Sequence, residues 1–157
     1  MDDRLQYGKA LRGDIATLAE FRVAMFKDMF PDEDWHAKAK DLTEASIDYY
    51  ERRIESTDEY ACIARIEGKS VGSGSIMFQE RAPHFLRLRN LCGYILSIYV
   101  LPDHRGRGIA SGIVETLLAE ARRRGAFRVG LHASKAGRGV YERMGFAAKE
   151  SYLEMEL

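Results

Sequence analysis

The stretch Arg105-Gly106-Arg107-Gly108-Ile109-Ala110 decides the fold, because it joins an apolar run to the clearest helical pattern of the chain. Residues 94–101 read as a strand, and residues 109–124 repeat apolar side chains at helical spacing. A strand therefore leads into a glycine-rich turn that opens a helix. The unpaired N–H groups and the dipole at a helix start attract anions, and glycine allows a ligand to approach the backbone closely. The pattern predicts a phosphate or pyrophosphate site.

Two common nucleotide-binding patterns do not fit this turn. A P-loop requires Gly-Lys followed by Ser or Thr, and that ending is absent. The dinucleotide pattern G-x-G-x-x-G would begin at Gly106 and Gly108, but Ser111 occupies its third glycine position. The acid expected about 20 residues further on is also missing from the run 127–131. What the turn does match is R-x-x-G-x-A, from Arg105 to Ala110.

Length and composition favour a single domain over residues 1–157 without an extended charged surface. The 24 basic and 24 acidic side chains cancel, so no broad basic field for nucleic acid is expected. No apolar run approaches the ~20 residues of a membrane span, and the first residues lack a signal-peptide pattern. We therefore expect a cytoplasmic protein. Two cysteines and four histidines show no disulfide framework and no metal-ligand spacing, so no metal is expected.

The order of elements predicted along the chain is β-α-α-β-β-β-α-β-α-β, which indicates a mixed sheet. Asp14 is expected to cap a first helix that Pro31 ends, and the acidic run 32–35 is expected to form a turn or loop. A second helix is expected to open at Thr43. The alternating tail 151–157 predicts a last strand with one buried face.

A second motif follows one strand after the glycine turn, and the two together resemble a known family. It reads Gly139-Val140-Tyr141-Glu142-Arg143-Met144-Gly145-Phe146. The pair R-x-x-G-x-A and Tyr-x-x-x-Gly-Phe resembles the GNAT superfamily of N-acetyltransferases. The resemblance implies an α/β (α+β) fold, the GNAT acyl-CoA N-acyltransferase fold. Its mixed sheet would have about six or seven strands, flanked by about four helices.

The resemblance also implies an activity and a set of residues. An acetyl group would pass directly from acetyl-CoA to a primary amine, with Tyr141 as the general acid for the thiolate. Ile98, Tyr99 and Val100 would hold the pantetheine arm on a bulged strand, and the Val100 N–H would stabilise the oxyanion. Ser134 would bind the cofactor arm or a water. The residues expected around the pyrophosphate are Arg105, Gly106, Arg107, Gly108, Ile109 and Ala110.

The general base and the acceptor stay open. Glu80, Tyr94, Tyr99, His132 and water are all candidate bases. The resemblance places the acceptor pocket on the first two helices and the loop 81–90, although a core face with a solvated acidic loop explains the same residues. The expected pocket residues are Met29, Phe30, Trp35, Tyr49 and Tyr50.

Two other functions compete with the enzyme, and the expected partners follow from the leading interpretation. A catalytically silent coenzyme A-binding module would keep the glycine turn and dispense with the chemistry, whereas Tyr141 favours the enzyme. A dinucleotide-binding domain is disfavoured by Ser111 and by the missing acid. We expect a small-molecule or peptide amine as partner, and neither nucleic acid nor membrane. A homodimer is left open.

Overall fold

The computed structural model describes residues 5–149, 151 and 153–157. Its strands are β1 (Leu5–Lys9), β2 (Glu59–Ile66), β3 (Lys69–Arg81), β4 (Asn90–Val100) and β5 (Arg128–Leu131). Its helices are α1 (Ile15–Met29), α2 (Trp35–Arg53), α3 (Ile109–Arg124) and α4 (Arg138–Arg143), with 3₁₀ turns at Arg12–Asp14 and Pro102–His104. The five strands form one sheet in chain order, antiparallel from β1 to β4 and parallel between β4 and β5. This mixed α/β architecture with four helices confirms the predicted fold class.

Apolar side chains are buried on both faces of the sheet, which gives the protein two core clusters. On the α3 face, the helix buries a stripe that includes Ile113, Val114 and Leu117 against β2, β3 and β4. On the opposite face, here called the α1–α2 face, Leu18 and Tyr50 pack with residues of β2. A sheet covered on both sides has little freedom to slip in register, because a shift of one residue would exchange the two faces.

The helix after the glycine turn has the bounds that the sequence predicted. Gly108 at its start and Gly125 at its end both adopt left-handed backbone conformations, with φ of 78° and 77°. At the C-terminal end, Ala126 N donates to Ala121 O at 2.9 Å, which closes the last turn. Glycine adopts this conformation without a Cβ penalty, so these residues fix where α3 begins and ends.

The second helix begins earlier than predicted. It starts at Trp35 rather than Thr43, because the Asp34 carboxylate accepts a hydrogen bond from His36 N at 3.1 Å and caps the helix there. Alanine and lysine, both good helix formers, follow immediately. The acidic run therefore ends as a helix cap, and Trp35 belongs to α2 instead of a loop.

The tail does not form the predicted strand, so the described part of the chain has five strands where about six or seven were expected. Residues 153–157 have no regular structure, and residues 150 and 152 lie outside the described residues. Leu153, Met155 and Leu157 are exposed, at 92%, 77% and 112%. Alternation predicts a strand only where a neighbouring strand and a buried face are available, and the described tail has neither.

A bulge in β4 shapes the part of the sheet that matters for function. Tyr99 pairs with Ser73 and Leu96 pairs with Ser75, so two residues, Ser97 and Ile98, face Gly74. Ser97 has a φ of 58°, an unusual value for a residue with a side chain. A Cβ at Gly74 would lie 2.4 Å from Ile98 Cδ1 and 2.8 Å from Ile113 Cγ2, so a side chain opposite the bulge would displace both isoleucines.

Candidate active site

β4 and β5 separate immediately beside the bulge. Their parallel pairing ends at Ile95 and Leu131, whereas β4 continues to Val100. Leu101 N donates to Val71 O at 2.9 Å, and backbone N–H groups alternate between the two edges of a strand. The Val100 N–H therefore points away from β3 and into the gap that opens beyond β5. This arrangement provides a backbone donor at the edge of a slot between two parallel strands.

The glycine turn lies at the end of β4 and presents free backbone donors. Gly106 and Gly108 have φ of 72° and 78°, and no atom lies within 4 Å of the Cβ position of either residue. The first hydrogen bond of α3 runs from Gly112 N to Gly108 O at 3.0 Å, so the N–H groups of residues 109–111 have no partner within the helix. Ile109 anchors the helix start in the core with 2% exposure. An open turn with unpaired N–H groups at a helix start suits a phosphate.

The two arginines of the turn have partners of their own. Arg105 Nε donates to Val100 O at 2.9 Å, its Nη2 bonds to the Asp28 carboxylate, and its guanidinium lies 5.5 Å from the centre of the Tyr99 ring. Arg105 thus ties the end of β4 to α1, and Asp28 offsets part of its charge. Arg107 contacts His104 Nδ1 at 3.2 Å.

Tyr141 lies half-buried on α4, packed against the α3-face core and edge-on to Phe146, with ring centres 6.0 Å apart. Burial raises the pKa of its hydroxyl, so this group is protonated at neutral pH. Ser134 Oγ accepts a hydrogen bond from Gly137 N at 3.1 Å and thereby caps the turn before α4. A Cβ at Gly137 would lie 3.2 Å from both Ser134 Oγ and Tyr141 Cε2, so Ser134 and Tyr141 flank one glycine.

Two of the four candidate bases lie together at the mouth of the gap. The Tyr94 hydroxyl shares a hydrogen bond with His132 Nδ1, and His132 Nε2 lies 3.9 Å from a Glu154 carboxylate oxygen. Burial raises the pKa of Tyr94, and a hydrogen bond to the backbone of His132 acts in the opposite direction. Tyr94 directly faces Met77, which contacts Tyr49 of α2, so the pair lies on the α1–α2 face.

The other two candidate side chains are placed differently. Tyr99 packs against Phe21 with ring centres 5.4 Å apart, beside Arg105. Glu80 is an exposed residue near the far end of β3, where it pairs with Leu91. The structure therefore brings Tyr94 and His132 together and leaves Glu80 apart from them.

A buried carboxylate on the α1–α2 face was missed by the sequence reasoning. Glu59 is 3% exposed, and Tyr49 donates to its Oε2 at 2.5 Å. Glu59 Oε1 and Ser75 Oγ are buried without a hydrogen-bond partner in the described part of the chain. Burial raises the pKa of Glu59, and Tyr49 and Arg53 oppose that shift. The sequence does contain a sign of it. Glu59 is two residues before Ala61, so the alternation of a strand places its carboxylate on the same buried face.

Part of the expected acceptor pocket assembles. Tyr49 and Tyr50 lie on the α1–α2 face, and Trp35 Nε1 donates to Phe30 O at 2.8 Å beside the exposed end of α1. The loop 82–89 lies beyond the opposite end of β4. From Asn90 to the bulge is roughly 20 Å along the strand, at about 3.3 Å per residue. The structure therefore brings the two helices, and not this loop, to the bulge.

A family model described as "Acetyltransferase (GNAT) family" matches residues 21–146. The chain belongs to this family, whose members are acetyl-CoA-dependent N-acetyltransferases. The matched region includes the bulged strand, the glycine turn and Tyr141. Among the described residues, no helix combines the length and apolarity that a bilayer crossing requires.

Several relatives of this chain share one name. A glucosamine 6-phosphate N-acetyltransferase of Trypanosoma brucei brucei is 33% identical over 90 residues, which are 57% of this chain and 59% of the relative. The match thus spans less than two thirds of that relative. The enzyme of the same name from Schizosaccharomyces pombe is 31% identical over 94 residues, 60% of this chain and 83% of the relative.

Solved structures of the family superpose over almost the whole chain. A predicted acetyltransferase from Clostridium acetobutylicum, crystallised with acetyl-CoA, matches with a TM-score of 0.82 and 30% identity, covering 97% of this chain and 96% of that one. The glucosamine-6-phosphate N-acetyltransferase of Arabidopsis thaliana matches with a TM-score of 0.69 and 20% identity, covering 97% of each chain. The second likeness concerns the fold alone.

Proposed function

We propose that this protein transfers an acetyl group from acetyl-CoA directly to a primary amine of a small molecule. The observation that carries the proposal is the gap between β4 and β5. The Val100 N–H points into this gap, the glycine turn lies at the end of β4, and Tyr141 follows β5 on α4. The names of the relatives support a small-molecule acceptor, with an amino sugar phosphate as the first candidate.

Acetyl-CoA would bind through its pyrophosphate and through its pantetheine arm. The N–H groups at the start of α3 and the open turn at Gly106 and Gly108 suit the pyrophosphate. The edge of residues 98–100 that faces away from β3 suits the amide groups of the pantetheine arm, which can pair with it as a short strand would. Ser134 holds the turn that carries Tyr141, so its contribution here is to position α4.

The reaction would proceed through a tetrahedral intermediate. The amine nitrogen forms a bond to the thioester carbon, and the carbonyl oxygen becomes an oxyanion that accepts a hydrogen bond from the Val100 N–H. When the intermediate collapses, the carbon–sulfur bond breaks and the Tyr141 hydroxyl donates its proton to the thiolate. Burial keeps Tyr141 protonated, which suits a general acid.

The amine must also lose a proton before it attacks, and Tyr94 with His132 would take it. A neutral imidazole can accept the proton through the Tyr94 hydroxyl, while Glu154, 3.9 Å from Nε2, stabilises the resulting imidazolium. With this assignment, the general base and the general acid are separate groups. One lies on the α1–α2 face for the amine, and the other lies on α4 for the sulfur.

A thiol-release assay with acetyl-CoA and a panel of amines tests the proposal. The panel contains amino sugars, amino acids, polyamines and a peptide with a free N-terminus. We expect thiol release and the acetylated product with at least one small amine. Binding of coenzyme A without thiol release across the panel would instead favour the silent coenzyme A-binding module.

A matched pair of glycine variants tests the phosphate site. Gly108 and Gly68 share a φ of 78° and have open space at the Cβ position, but Gly68 lies in the β2–β3 turn. Gly108→Ala and Gly68→Ala should therefore lose similar stability, about 1 kcal/mol each. Calorimetry should show weaker coenzyme A binding in Gly108→Ala alone, and equal affinity in both variants would contradict the phosphate site.

A further inference from the structure

Arg22, in the middle of α1, lies beside the β4 bulge and takes no part in the chemistry described above. Its Nη1 donates to Ser97 Oγ at 2.5 Å, and its guanidinium lies 5.1 Å from the centre of the Phe26 ring. The hydrogen bond and the ring contact hold the group in one place on the α1–α2 face. Arg22 is thus fixed where β4 departs from β5.

The positive charge of Arg22 is not neutralised by a contact. Among residues 5–149, 151 and 153–157, no carboxylate oxygen lies within 4.0 Å of its guanidinium. Glu59 lies on the same face and attracts the Arg22 charge, but the two side chains form no ion pair within 4.0 Å, and Glu59 Oε2 accepts a hydrogen bond from Tyr49. Arg52 of α2, by contrast, pairs with Asp48 at the surface.

The remaining N–H groups of Arg22 are accessible. The buried polar atoms that lack a partner in the described part of the chain are Glu59 Oε1, Ser75 Oγ and Asn90 Oδ1, and none belongs to Arg22. Because only Nη1 has a recorded acceptor, the other donors of the half-buried guanidinium face solvent. The group therefore presents free donors from a fixed position.

A guanidinium held in this way recognises one kind of ligand particularly well. Its planar fork matches the two oxygens of a carboxylate or phosphate and can bind them in parallel. A mobile surface arginine loses side-chain entropy when it does so, whereas Arg22 is already ordered by Ser97 and Phe26. The arrangement suits an oxyanion that approaches from the α1–α2 face.

We propose that Arg22 binds an oxyanion carried by the acceptor, so that the substrate is a small amine bearing a phosphate or a carboxylate. This inference rests on the proposed acetyl transfer. Ser97 and Val100 are three residues apart, roughly 10 Å along a strand, so the oxyanion and the reacting nitrogen lie within about that distance of each other. A compact amino acid or amino sugar phosphate fits this spacing, and a polyamine lacks the anion.

The test compares matched amines that differ in one anionic group. Initial rates are measured with glucosamine 6-phosphate against glucosamine, and with β-alanine against ethanolamine. The proteins are the wild type, Arg22→Lys, Arg22→Gln and the control Lys27→Gln, which removes one positive charge from the exposed side of the same helix. Thermal denaturation of each variant reports whether it is folded.

The expected result is a wild-type preference of at least tenfold in kcat/KM for one anionic amine over its neutral partner. A phosphate and a carboxylate preference are told apart by the two substrate pairs.

Arg22→Gln should abolish the preference mainly through KM, Arg22→Lys should keep part of it, and Lys27→Gln should keep all of it. Equal rates for both members of each pair, or a preference that survives in a folded Arg22→Gln variant, would overturn the inference while leaving acetyl transfer intact. Absence of thiol release from every amine would instead count against the proposed function.

Discussion

Arg105 reaches across from the glycine turn to Asp28 at the end of α1, and the same guanidinium donates to the Val100 carbonyl. The first arginine of the R-x-x-G-x-A motif therefore braces the strand that ends in the gap. Both side chains of the ion pair are 47% exposed, so solvent screens the attraction. The ion pair with Asp28 therefore contributes little to stability. The contribution of Arg105 to stability can be measured separately from a contribution to coenzyme A binding.

Asp28→Asn should lower the free energy of unfolding by about 0.5 kcal/mol, the size of an exposed ion pair. Arg105→Ala should lower it further, because the variant also loses the hydrogen bond to Val100 O and the contact with Tyr99. If Arg105 also contributes to the phosphate site, Arg105→Ala should weaken coenzyme A binding about tenfold, as the loss of a charge-assisted hydrogen bond does. Asp28→Asn should leave that affinity unchanged or tighten it. Denaturant unfolding and calorimetry give the two values, and equal effects of both variants on coenzyme A affinity would exclude the phosphate role.

Tyr141→Phe should reduce kcat by about a hundredfold with little change in the KM for acetyl-CoA, because it removes a proton donor and leaves the ring in place. Since burial raises the pKa of Tyr141, the wild-type kcat should show no loss from its deprotonation up to its ordinary value of about 10. Tyr60→Phe, which removes a half-buried hydroxyl elsewhere on the α3 face, is the control. Full activity in Tyr141→Phe would assign the proton to water.

His132→Gln should lower kcat/KM at pH 7 by about tenfold to a hundredfold, because the amine then lacks its proton acceptor. Tyr94→Phe should reproduce the effect in part, because the proton reaches the imidazole through the Tyr94 hydroxyl. His84→Gln, in the exposed β3–β4 loop, serves as the control histidine. An unchanged kcat/KM in a folded His132→Gln variant would place the base elsewhere.

Glu59→Gln should stabilise the protein above the ordinary pKa of a glutamate. Burial raises the pKa of Glu59 in the folded state, so its contribution to stability is fully present at low pH and is lost as the pH rises through the folded-state pKa. Glutamine keeps an acceptor for the Tyr49 hydroxyl and carries no charge. The variant should match the wild type near pH 4 and exceed it by about 1 kcal/mol at pH 8.

Glu55→Gln is the matched control for this pH dependence, because Arg12 lowers the pKa of the exposed Glu55. Its small contribution should have the opposite sign and fade as the pH falls. Denaturant unfolding from pH 4 to pH 8 measures both variants. A Glu59→Gln variant that is less stable than the wild type at pH 8 would show that the buried charge stabilises the fold.

The sequence predicted elements whose ends are fixed locally and missed features that depend on tertiary contacts. The bounds of α3 follow from two glycines in left-handed conformations. The Tyr94–His132 contact depends on the register between β4 and β5, which no local pattern reveals. The tail alternates as a strand would, but Leu153, Met155 and Leu157 are exposed.

The same distinction holds for the candidate site. The part of the site that would bind acetyl-CoA is formed by two contiguous motifs. Such motifs are visible in the sequence, because the glycines and backbone N–H groups that bind a phosphate are close together in the chain. Its acceptor side is assembled from single residues on α1, α2, β2 and β4. Arg22 and Glu59 became recognisable only when the helices had been placed on the sheet.

Substitutions at Gly74 and in the β4 bulge should be coupled during evolution. A side chain at position 74 would collide with Ile98 and Ile113, so it requires that both isoleucines move or are shortened, or that β4 straightens. A straight β4 would turn the Val100 N–H toward β3, since removing one residue reverses which amides face each edge. Substitutions at position 74 are therefore coupled to those at positions 98 and 113, and a variant that fills position 74 by straightening β4 should lose acetyl transfer before it loses its fold.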